Sequence, residues 1–301
     1  MWLIYALGGG WGHLTRAVAL ARVAQRERAV RVLTNSPYAG MVDGAVDIKA
    51  VETRAEATRA IAECRPACLI VDTFPRGIGG ELAGILGALP ARSVLVHRDL
   101  NPRYVAVARL REFVAANYDL VLVPGAGEGS QLGDLPAAVE TKRWLVRSAE
   151  EIPDRARVRE LLRLSPMGER CVLVCGSGKP EELEWYGAVV GELQRLGAAV
   201  RCVAAVRPAQ CPEECWVRYW PAMELFGCAP VVVGGAGYNT VAECLAWEVP
   251  LVARAWPRQY DRQELRARNA GGRVTLVREP QEAARRGSSM GRWRRWRGLV
   301  A

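Results

Sequence analysis

The chain has 301 residues, of which 50% are hydrophobic and 24% are charged. This composition is typical of a globular protein and excludes a disordered or fibrous chain. The length predicts one large domain or two of medium size, each able to bury a core.

The formal net charge is +9, from 41 Lys and Arg against 32 Asp and Glu. Six of the arginines follow Glu282, the last acidic residue, so subtracting six from nine leaves +3 on the first 282 residues. A body this mildly basic disfavours nucleic-acid binding through a broad basic face. We therefore expect no nucleic-acid partner.

Targeting and metal signals are weak. The start, MWLIYALGGG, has no basic residue before an apolar run that stops at Gly8, and no window holds 18 apolar residues. The cysteine pairs 64/68 and 211/215 are spaced C-x3-C, and only two histidines could complete a metal site. We expect a cytoplasmic protein with reduced thiols and no metal.

Short apolar runs alternate with helical patterns along the first half, which predicts a parallel sheet with helices on both faces. The predicted strands are 2–7, 30–34, 68–71, 93–97 and 119–123, and the predicted helices are 14–26, 55–64, 78–88 and 104–117.

A second series begins after a charged helix within 146–168. Its strands are predicted at 171–175, 199–206, 216–219, 230–234, 250–253 and 273–277, and its helices at 180–196 and 238–247. The fold class is therefore α/β, with two Rossmann-like, doubly wound parallel-sheet domains facing a cleft. We divide the chain into domains 1–145 and 169–284, a linker 146–168 and a basic tail 285–301.

A glycine-rich segment, Gly8-Gly9-Gly10-Trp11-Gly12-His13, joins the first strand to a helix. Glycines such as Gly10 and Gly12 let a ligand approach the backbone, and a helix N-terminus favours an anion. His13 stands where a dinucleotide fingerprint has its third glycine, and strand two ends without a carboxylate. Both features disfavour nicotinamide binding.

The second half carries two further glycine turns, Gly176-Ser177-Gly178 and Gly234–Gly237. Backbone N–H groups of Tyr238–Thr240 would point at a diphosphate, and Glu243 could accept hydrogen bonds from ribose hydroxyls. The alternative is a tight turn with Glu243 on a solvated helix face.

Taken together, these motifs resemble GT-B fold glycosyltransferases. They comprise the loop with His13, the Gly-Gly-x-Gly…Thr-x-x-Glu pattern ending at Glu243, Pro250, and Asp261-x-Gln263. The pattern is similar to family 28, whose N-acetylglucosaminyltransferase forms lipid II. Residues 70–82 and 97–99 resemble predicted bacterial glycosyltransferases of unassigned substrate.

The resemblance covers about residues 3–277 and implies a nucleoside-diphosphate sugar donor, usually a UDP-sugar, in the C-terminal domain, with the acceptor in the N-terminal domain. Asp261 and Gln263 would then contact the sugar and His13 would lie near its anomeric carbon. The resemblance implies inversion at that carbon. Where family 28 has two glutamines this chain has Gln263-Glu264, so the sugar's identity is not implied. The residues implied to cradle the diphosphate are Gly176, Ser177, Gly178, Gly235, Ala236, Gly237, Tyr238, Asn239 and Thr240, with Glu243 holding the ribose.

No Asp-x-Asp occurs in the sequence, so we expect a metal-independent reaction in which helix dipoles stabilise the departing diphosphate. His13 is the candidate general base. Asp72 is the rival base, the orienting partner of His13, or a loop cap. His97 is expected to be a core histidine with satisfied hydrogen bonds, and Trp11 is either a lid over the turn or an acceptor platform.

The tail 291–300 has three alternatives: an Arg/Trp helix in weak contact with the inner face of a membrane, a final helix crossing to the first domain, or a solubilising tail. The function also has rivals. Gly12-His13-Leu14-Thr15-Arg16 matches the Gly-His-x-x-Arg of a nucleotide-sugar hydrolase of the same fold. A non-catalytic sugar-nucleotide binder is the other. The acceptor, whether saccharide, lipid or small molecule, is left open.

Overall fold

The computed structural model describes residues 1–125, 130–165 and 170–297, with the backbone alone for 291–297. It contains two compact units. Unit 1 comprises Met1–Val146 together with Arg258–Arg262, and unit 2 comprises Arg147–Pro257 together with the chain from Gln263 onward.

Unit 1 is built on a seven-stranded, all-parallel sheet in the order β3-β2-β1-β4-β5-β6-β7. The central strands are continuous apolar runs because both of their faces are buried. The strands are β1 Trp2–Tyr5, β2 Val30–Thr34, β3 Asp47–Ala50, β4 Cys68–Asp72, β5 Arg92–Val96, β6 Leu120–Pro124 and β7 Ala138–Thr141.

Local signals explain where the helices of unit 1 begin and end. Thr53 caps one helix by accepting from the N–H of Glu56, and Asn101 caps another that begins with Pro102. The predicted helix 104–117 is wrong as a single element, because Arg109 adopts a left-handed conformation (φ 47°) that interrupts it. The helices are α1 Trp11–Ala24, α2 Arg54–Cys64, α3 Pro102–Val107 and α4 Leu110–Asn117.

The predicted helix 78–88 is also wrong. This segment consists of turns, with a single 3-10 turn at Leu86–Ala88. Gly77 and Gly80 have φ values of 82° and 91°, a region that glycine enters without strain, so they favour turns over a helix. Strands β3 and β7 were not predicted, because they form the two edges of the sheet and lack buried apolar runs.

Unit 2 repeats the arrangement with six parallel strands in the order β10-β9-β8-β11-β12-β13. Within the described residues of the predicted charged helix 146–168, the α-helix extends over Arg155–Leu161. The strands are β8 Val172–Gly176, β9 Val200–Ala204, β10 Trp216–Val217, β11 Val232–Gly235, β12 Leu251–Arg254 and β13 Val274–Leu276, and the helices are α5 Arg155–Leu161, α6 Pro180–Arg195, α7 Tyr238–Ala246, α8 Gln263–Asn269 and α9 Pro280–Arg297.

Both sheets have the strand order of a Rossmann fold, and both confirm the predicted parallel α/β class. The order reverses between β1 and β4 in unit 1, and between β8 and β11 in unit 2. Ligands of open α/β sheets bind at the carboxyl ends of the strands that flank this reversal. Each unit therefore has one edge at which functional side chains are expected.

Helix α9 includes the first residues of the predicted basic tail, which begins at residue 285. Its first half is packed on unit 2: Ala283 and Ala284 are fully buried, and Ser288 is 5% exposed. A Cβ at Gly287 would lie 3.4 Å from Val233. The predicted Trp/Arg face of residues 291–300 lies outside the described side chains. Among the described residues, no helix is long and apolar enough to cross a membrane.

We predict that a chain ending at Glu282 unfolds more easily than one ending at Met290. The shorter chain loses the buried residues of α9 and exposes the apolar surface beneath them, which costs on the order of 3 kcal/mol. Thermal unfolding of both chains checks this, with the full chain as the reference. Equal melting temperatures would show that α9 contributes nothing to stability.

Candidate catalytic and nucleotide sites

The loop after β1 is fixed by an asparagine that follows β2. The side-chain oxygen of Asn35 accepts hydrogen bonds from the backbone N–H groups of Gly8 and Gly9, both at 2.9 Å. Gly9 has φ 70°, which glycine adopts without strain. Asn35 thus stands where a dinucleotide-binding fold has its acidic residue, and it shapes the loop from which α1 begins.

His13 and Asp72 meet at the reversal between β1 and β4. Asp72 ends β4, and its Oδ2 lies 2.6 Å from Nδ1 of His13 in the first turn of α1. An ionised carboxylate only accepts hydrogen bonds, so Nδ1 carries the proton of the neutral ring. The lone pair is then on Nε2, the nitrogen that a general base would use.

Arg16 binds both oxygens of the same carboxylate. Its Nε lies 2.9 Å from Oδ1 of Asp72 and its Nη2 lies 2.7 Å from Oδ2. Both side chains are at most 3% exposed. His13 and Arg16 are three residues apart and therefore share a face of α1. The Asp72 carboxylate is compensated inside the protein, as a buried charge must be.

Thr73 completes this cluster in an uncommon backbone conformation. Its hydroxyl accepts from Nη2 of Arg16 at 3.1 Å and donates to Oδ2 of Asp72 at 3.2 Å. Its φ of 71° places a β-branched residue in the left-handed region, which is costly. Such strain persists only where the surroundings impose it, and it is common at functional sites.

The electrostatics set the charge states of the pair. Burial lowers the pKa of His13 and outweighs the hydrogen bond to Asp72, which raises it. Burial alone would raise the pKa of Asp72, but Arg16 and His13 together hold it well below its usual range. At neutral pH the site therefore contains a neutral imidazole oriented by a carboxylate, the arrangement that a general base needs.

The His13 ring is enclosed on two sides. Phe74 stacks on it with ring centroids 5.4 Å apart, and Gly8 lies so close that a Cβ there would come within 2.0 Å of the ring. Trp11 stacks on Tyr38 with centroids 4.5 Å apart and planes 2° from parallel. The predicted roles of Gly10, Gly12 and Trp11 toward a ligand remain predictions.

His97 is buried as expected, but its expected hydrogen bonds are not found in the described part of the chain. It is 0% exposed, and neither ring nitrogen has a hydrogen-bond partner among residues 1–125, 130–165 and 170–290. It borders a small pocket with Ser130, Pro124 and Glu140, with room for about one water molecule. Burial, reinforced by the charge of Arg98, lowers the pKa of His97 to about 3. The ring is therefore neutral at physiological pH.

In unit 2 the glycine turn after β11 leads into α7. Gly237 precedes the helix and supplies no side-chain cap, and the backbone N–H groups of the first turn, Tyr238–Thr240, have no acceptor within the helix itself. Arg266 is 2% exposed and donates to the carbonyl of Ala236 at 3.2 Å, which fixes the turn. This helix N-terminus is suited to an anion because its dipole and its N–H groups both favour negative charge.

Glu243 lies on α7, five residues after its start. Burial raises its pKa to about 7. Its carboxyl group makes no hydrogen bond to any residue that the structure describes. A partly desolvated carboxyl without a donor favours binding of a ligand that brings hydroxyl groups.

The other glycine turn, Gly176–Gly178, is less suited to a phosphate. Gly178 has φ 111°, and a Cβ there would lie 1.9 Å from the carboxylate of Glu182. Glu182 is 2% exposed and belongs, with Glu181, to an acidic first turn of α6. The negative charge of these glutamates would repel a phosphate at the Gly176–Gly178 turn. Of the two glycine turns, the N-terminus of α7 is therefore the stronger candidate for binding an anion.

Asp261 and Gln263, both expected to contact a sugar, belong to different units. Asp261 pairs with Arg98 of unit 1 at 3.0 Å. The side-chain oxygen of Gln263 accepts from the backbone N–H of Trp256 at 2.9 Å, and Gln263 is 7% exposed. Their contacts with a sugar stay predictions. The described residues contain no cluster of His, Cys, Asp or Glu that could hold a metal ion.

The chain is similar to known proteins in its fold and not in its sequence family. No protein-family model and no curated protein matches the chain. Several solved structures are similar over nearly its whole length. They include the spinosyn rhamnosyltransferase SpnG in complex with thymidine diphosphate (17% identity, 97% of this chain and 90% of that chain, TM-score 0.61), the glycosyltransferase SsfS6 of Streptomyces sp. SF2575 (16%, 96% and 95%, 0.60) and Os79 from O. sativa with U2F and trichothecene (12%, 95% and 89%, 0.63).

The fold is GT-B. Two parallel-sheet α/β domains, with seven and six strands, are shared with these glycosyltransferases. At identities of 12–17% the similarity extends to the fold alone.

We predict that Gly8→Ala displaces the imidazole of His13 from Asp72, because a Cβ would lie 2.0 Å from the ring. Gly10→Ala is the matched control, since its Cβ would meet no described atom within 4 Å beyond its chain neighbours. The imidazole NMR signals of His13 report the change. Unaltered signals in Gly8→Ala would show that the loop yields instead of the ring.

We also predict that Glu243→Gln stabilises the protein at alkaline pH. The raised pKa of Glu243 means that the folded state resists ionisation, so its stability falls as the pH rises from about 4.5 to about 7. Glutamine removes that loss and should raise the free energy of unfolding by about 1 kcal/mol at pH 8, and by little near pH 4.5. Glu214→Gln, at an exposed position, is the control in thermal unfolding at both pH values.

Proposed function

We propose that the chain is a metal-independent glycosyltransferase that moves a hexosyl group from a UDP-sugar to an acceptor hydroxyl, with inversion at the anomeric carbon. The observation that carries this proposal is the His13 imidazole, oriented by the Asp72 carboxylate and left with its lone pair on Nε2. The GT-B fold supports the reaction class, because the similar structures named above are glycosyltransferases.

The base step uses unit 1. The acceptor oxygen attacks the anomeric carbon while its proton passes to Nε2 of His13, and the bond from that carbon to the diphosphate oxygen breaks. Asp72 stabilises the imidazolium that forms, through the hydrogen bond to Nδ1. In this role Asp72 orients the base and is not itself the base, because Arg16 keeps its pKa too low to take a proton near neutral pH.

Unit 2 binds the donor in this proposal. The diphosphate lies at the N-terminus of α7, where the first helical turn, Tyr238–Thr240, offers backbone N–H groups and the dipole stabilises the charge of the departing UDP. Ala236 contributes no N–H group, because its own is bonded to the carbonyl of Arg254 at 2.9 Å. Glu243 accepts hydrogen bonds from the ribose, and Gly176, Ser177 and Gly178 contribute backbone contacts. SpnG was solved with thymidine diphosphate and Os79 with U2F, which supports a nucleoside-diphosphate donor.

The acceptor is proposed by class alone: a saccharide, a lipid or a small molecule with a hydroxyl group. SpnG was also solved with the spinosyn aglycone, and a Phytolacca americana glycosyltransferase with pterostilbene. The stacked Trp11 and Tyr38 beside the His13 loop could receive a flat, apolar acceptor of this kind. Residence in the bacterial cytoplasm, with peripheral membrane contact through the tail, belongs to the same proposal.

One observation favours a second candidate, a nucleotide-sugar hydrolase. Arg16 completes the Gly-His-x-x-Arg pattern and binds the carboxylate that orients His13. In a hydrolase the same base would remove a proton from water in place of an acceptor. Release of UDP from a UDP-sugar in water alone, at the rate reached with acceptors, would favour this candidate.

Binding and turnover of UDP-sugars together test the proposal. UDP should raise the melting temperature, since it binds the folded state. Glu243→Ala should weaken UDP binding by about tenfold or more, because the ribose loses its carboxyl acceptor. His13→Ala should leave UDP binding intact and lower turnover by about 10²–10⁴-fold.

Glu214→Ala is the control for Glu243→Ala, since its side chain is exposed. No melting shift with any nucleoside diphosphate would contradict the donor site, and full turnover by His13→Ala would contradict the assigned base.

A further inference from the structure

A five-residue segment, Arg258–Arg262, belongs to unit 1 although the chain on both sides of it belongs to unit 2. It follows β12 and ends where α8 begins. We call it the strap. The motif resemblance places a sugar-binding Asp261 in this strap, whereas the structure shows how the strap is bound to unit 1.

Two ion pairs of opposite sense hold the strap. Arg98 Nη1 lies 3.0 Å from Oδ1 of Asp261, and Nε of Arg262 lies 2.8 Å and 3.1 Å from the two oxygens of Asp99. After β5 the chain carries a positive charge (Arg98) and then a negative one (Asp99). The strap carries the opposite order, Asp261 and then Arg262. All four side chains are at most 23% exposed. Burial makes such pairs costly to break from one side.

Backbone contacts add to the ion pairs. The N–H of Asn101 donates to the carbonyl of Tyr260 at 3.2 Å, and the side-chain amide of Asn101 donates to the carbonyl of Gln259 at 3.3 Å. Asn101 also caps α3. The strap is therefore fixed to the carboxyl edge of β5 along its length, not at one point.

Tyr260 connects the strap to the candidate base. Its ring lies between Tyr104, at 4.6 Å between centroids, and Phe74, at 5.4 Å, in edge-to-face contacts. Phe74 in turn stacks on the ring of His13 at 5.4 Å. Phe74 is 7% exposed, so its ring cannot shift without moving its neighbours.

We infer that the strap positions His13. The ion pairs fix Tyr260, Tyr260 holds Phe74, and Phe74 keeps the imidazole in line with Asp72. Asp261 is on this reading a clamp for Arg98 and not a ligand of the sugar. Asp261 and Tyr260 are positioning residues, because they act on the reaction only through His13. The effect on turnover rests on the proposed function, but the effect on the ring of His13 does not.

The first test uses Tyr260→Ala against Tyr260→Phe. The chain has two histidines, so its imidazole NMR spectrum contains signals from His13 and His97 alone. We expect Tyr260→Ala to shift or broaden the His13 signals, and Tyr260→Phe to leave them as in the unchanged protein. His97 signals that keep their positions show that the fold is intact. Unshifted His13 signals in a folded Tyr260→Ala variant would overturn the inference, whether or not the protein transfers sugars.

The second test reverses the charges. Arg98→Asp and Asp261→Arg should each lower kcat for a UDP-sugar by about tenfold, with UDP affinity unchanged. The His13 signals are compared in Asp261→Arg alone, because the charge of Arg98 also acts on His13 directly. The double variant restores an ion pair of the opposite sense and should recover kcat to within about threefold. A sugar ligand at Asp261 would give the contrary result: no recovery in the double variant, and a raised KM for the donor in Asp261→Asn with the His13 signals unmoved.

Discussion

One buried carboxylate organises the first unit. Asp72 is 1% exposed, and an ionised group so deep in a protein must be matched by charge and hydrogen bonds. Arg16 supplies the opposite charge, His13 and Thr73 supply further hydrogen bonds, and the backbone at Thr73 accepts strain to do so. The positions of α1, the end of β4 and the loop that follows are thereby linked, and the candidate base lies where they meet.

The two units have the same strand order but build their candidate sites from different groups. In unit 1 the site consists of side chains whose mutual contacts fix their protonation states. In unit 2 the candidate anion site is the start of α7, where backbone N–H groups would bind the anion and Arg266 fixes the preceding turn. A backbone site places few demands on sequence beyond small residues at the turn. This is one physical reason why chains of 12–17% identity can share the fold.

The sequence was informative where a residue's role depends on local pattern. Buried apolar runs predicted the central strands of both sheets, and the glycine turns marked the carboxyl ends of β1, β8 and β11. The edge strands β3 and β7 were missed because exposure removes the apolar run, and the glycines of 77–87 override a helical pattern.

Contacts between distant residues were beyond such patterns. Contact with His13 was one of three alternatives for Asp72, and choosing it depends on β1 and β4 being neighbours. The left-handed Thr73 had no signal at all. The Gly-His-x-x-Arg motif includes Arg16. Its partner, Asp72, could have been identified only by knowing that β4 lies beside β1. No local sequence pattern indicates that Asp261 belongs to unit 1, and only the tertiary structure reveals it.

The charges around Asp72 sum to zero in the resting protein: Arg16 and Asp72 cancel, and the imidazole is neutral. A proton taken up by His13 would leave one uncompensated positive charge among groups that are almost fully removed from water. Burial already disfavours that state, as the lowered pKa of His13 shows. The protonated ring is therefore disfavoured, and the return of the site to neutrality favours passing the proton on.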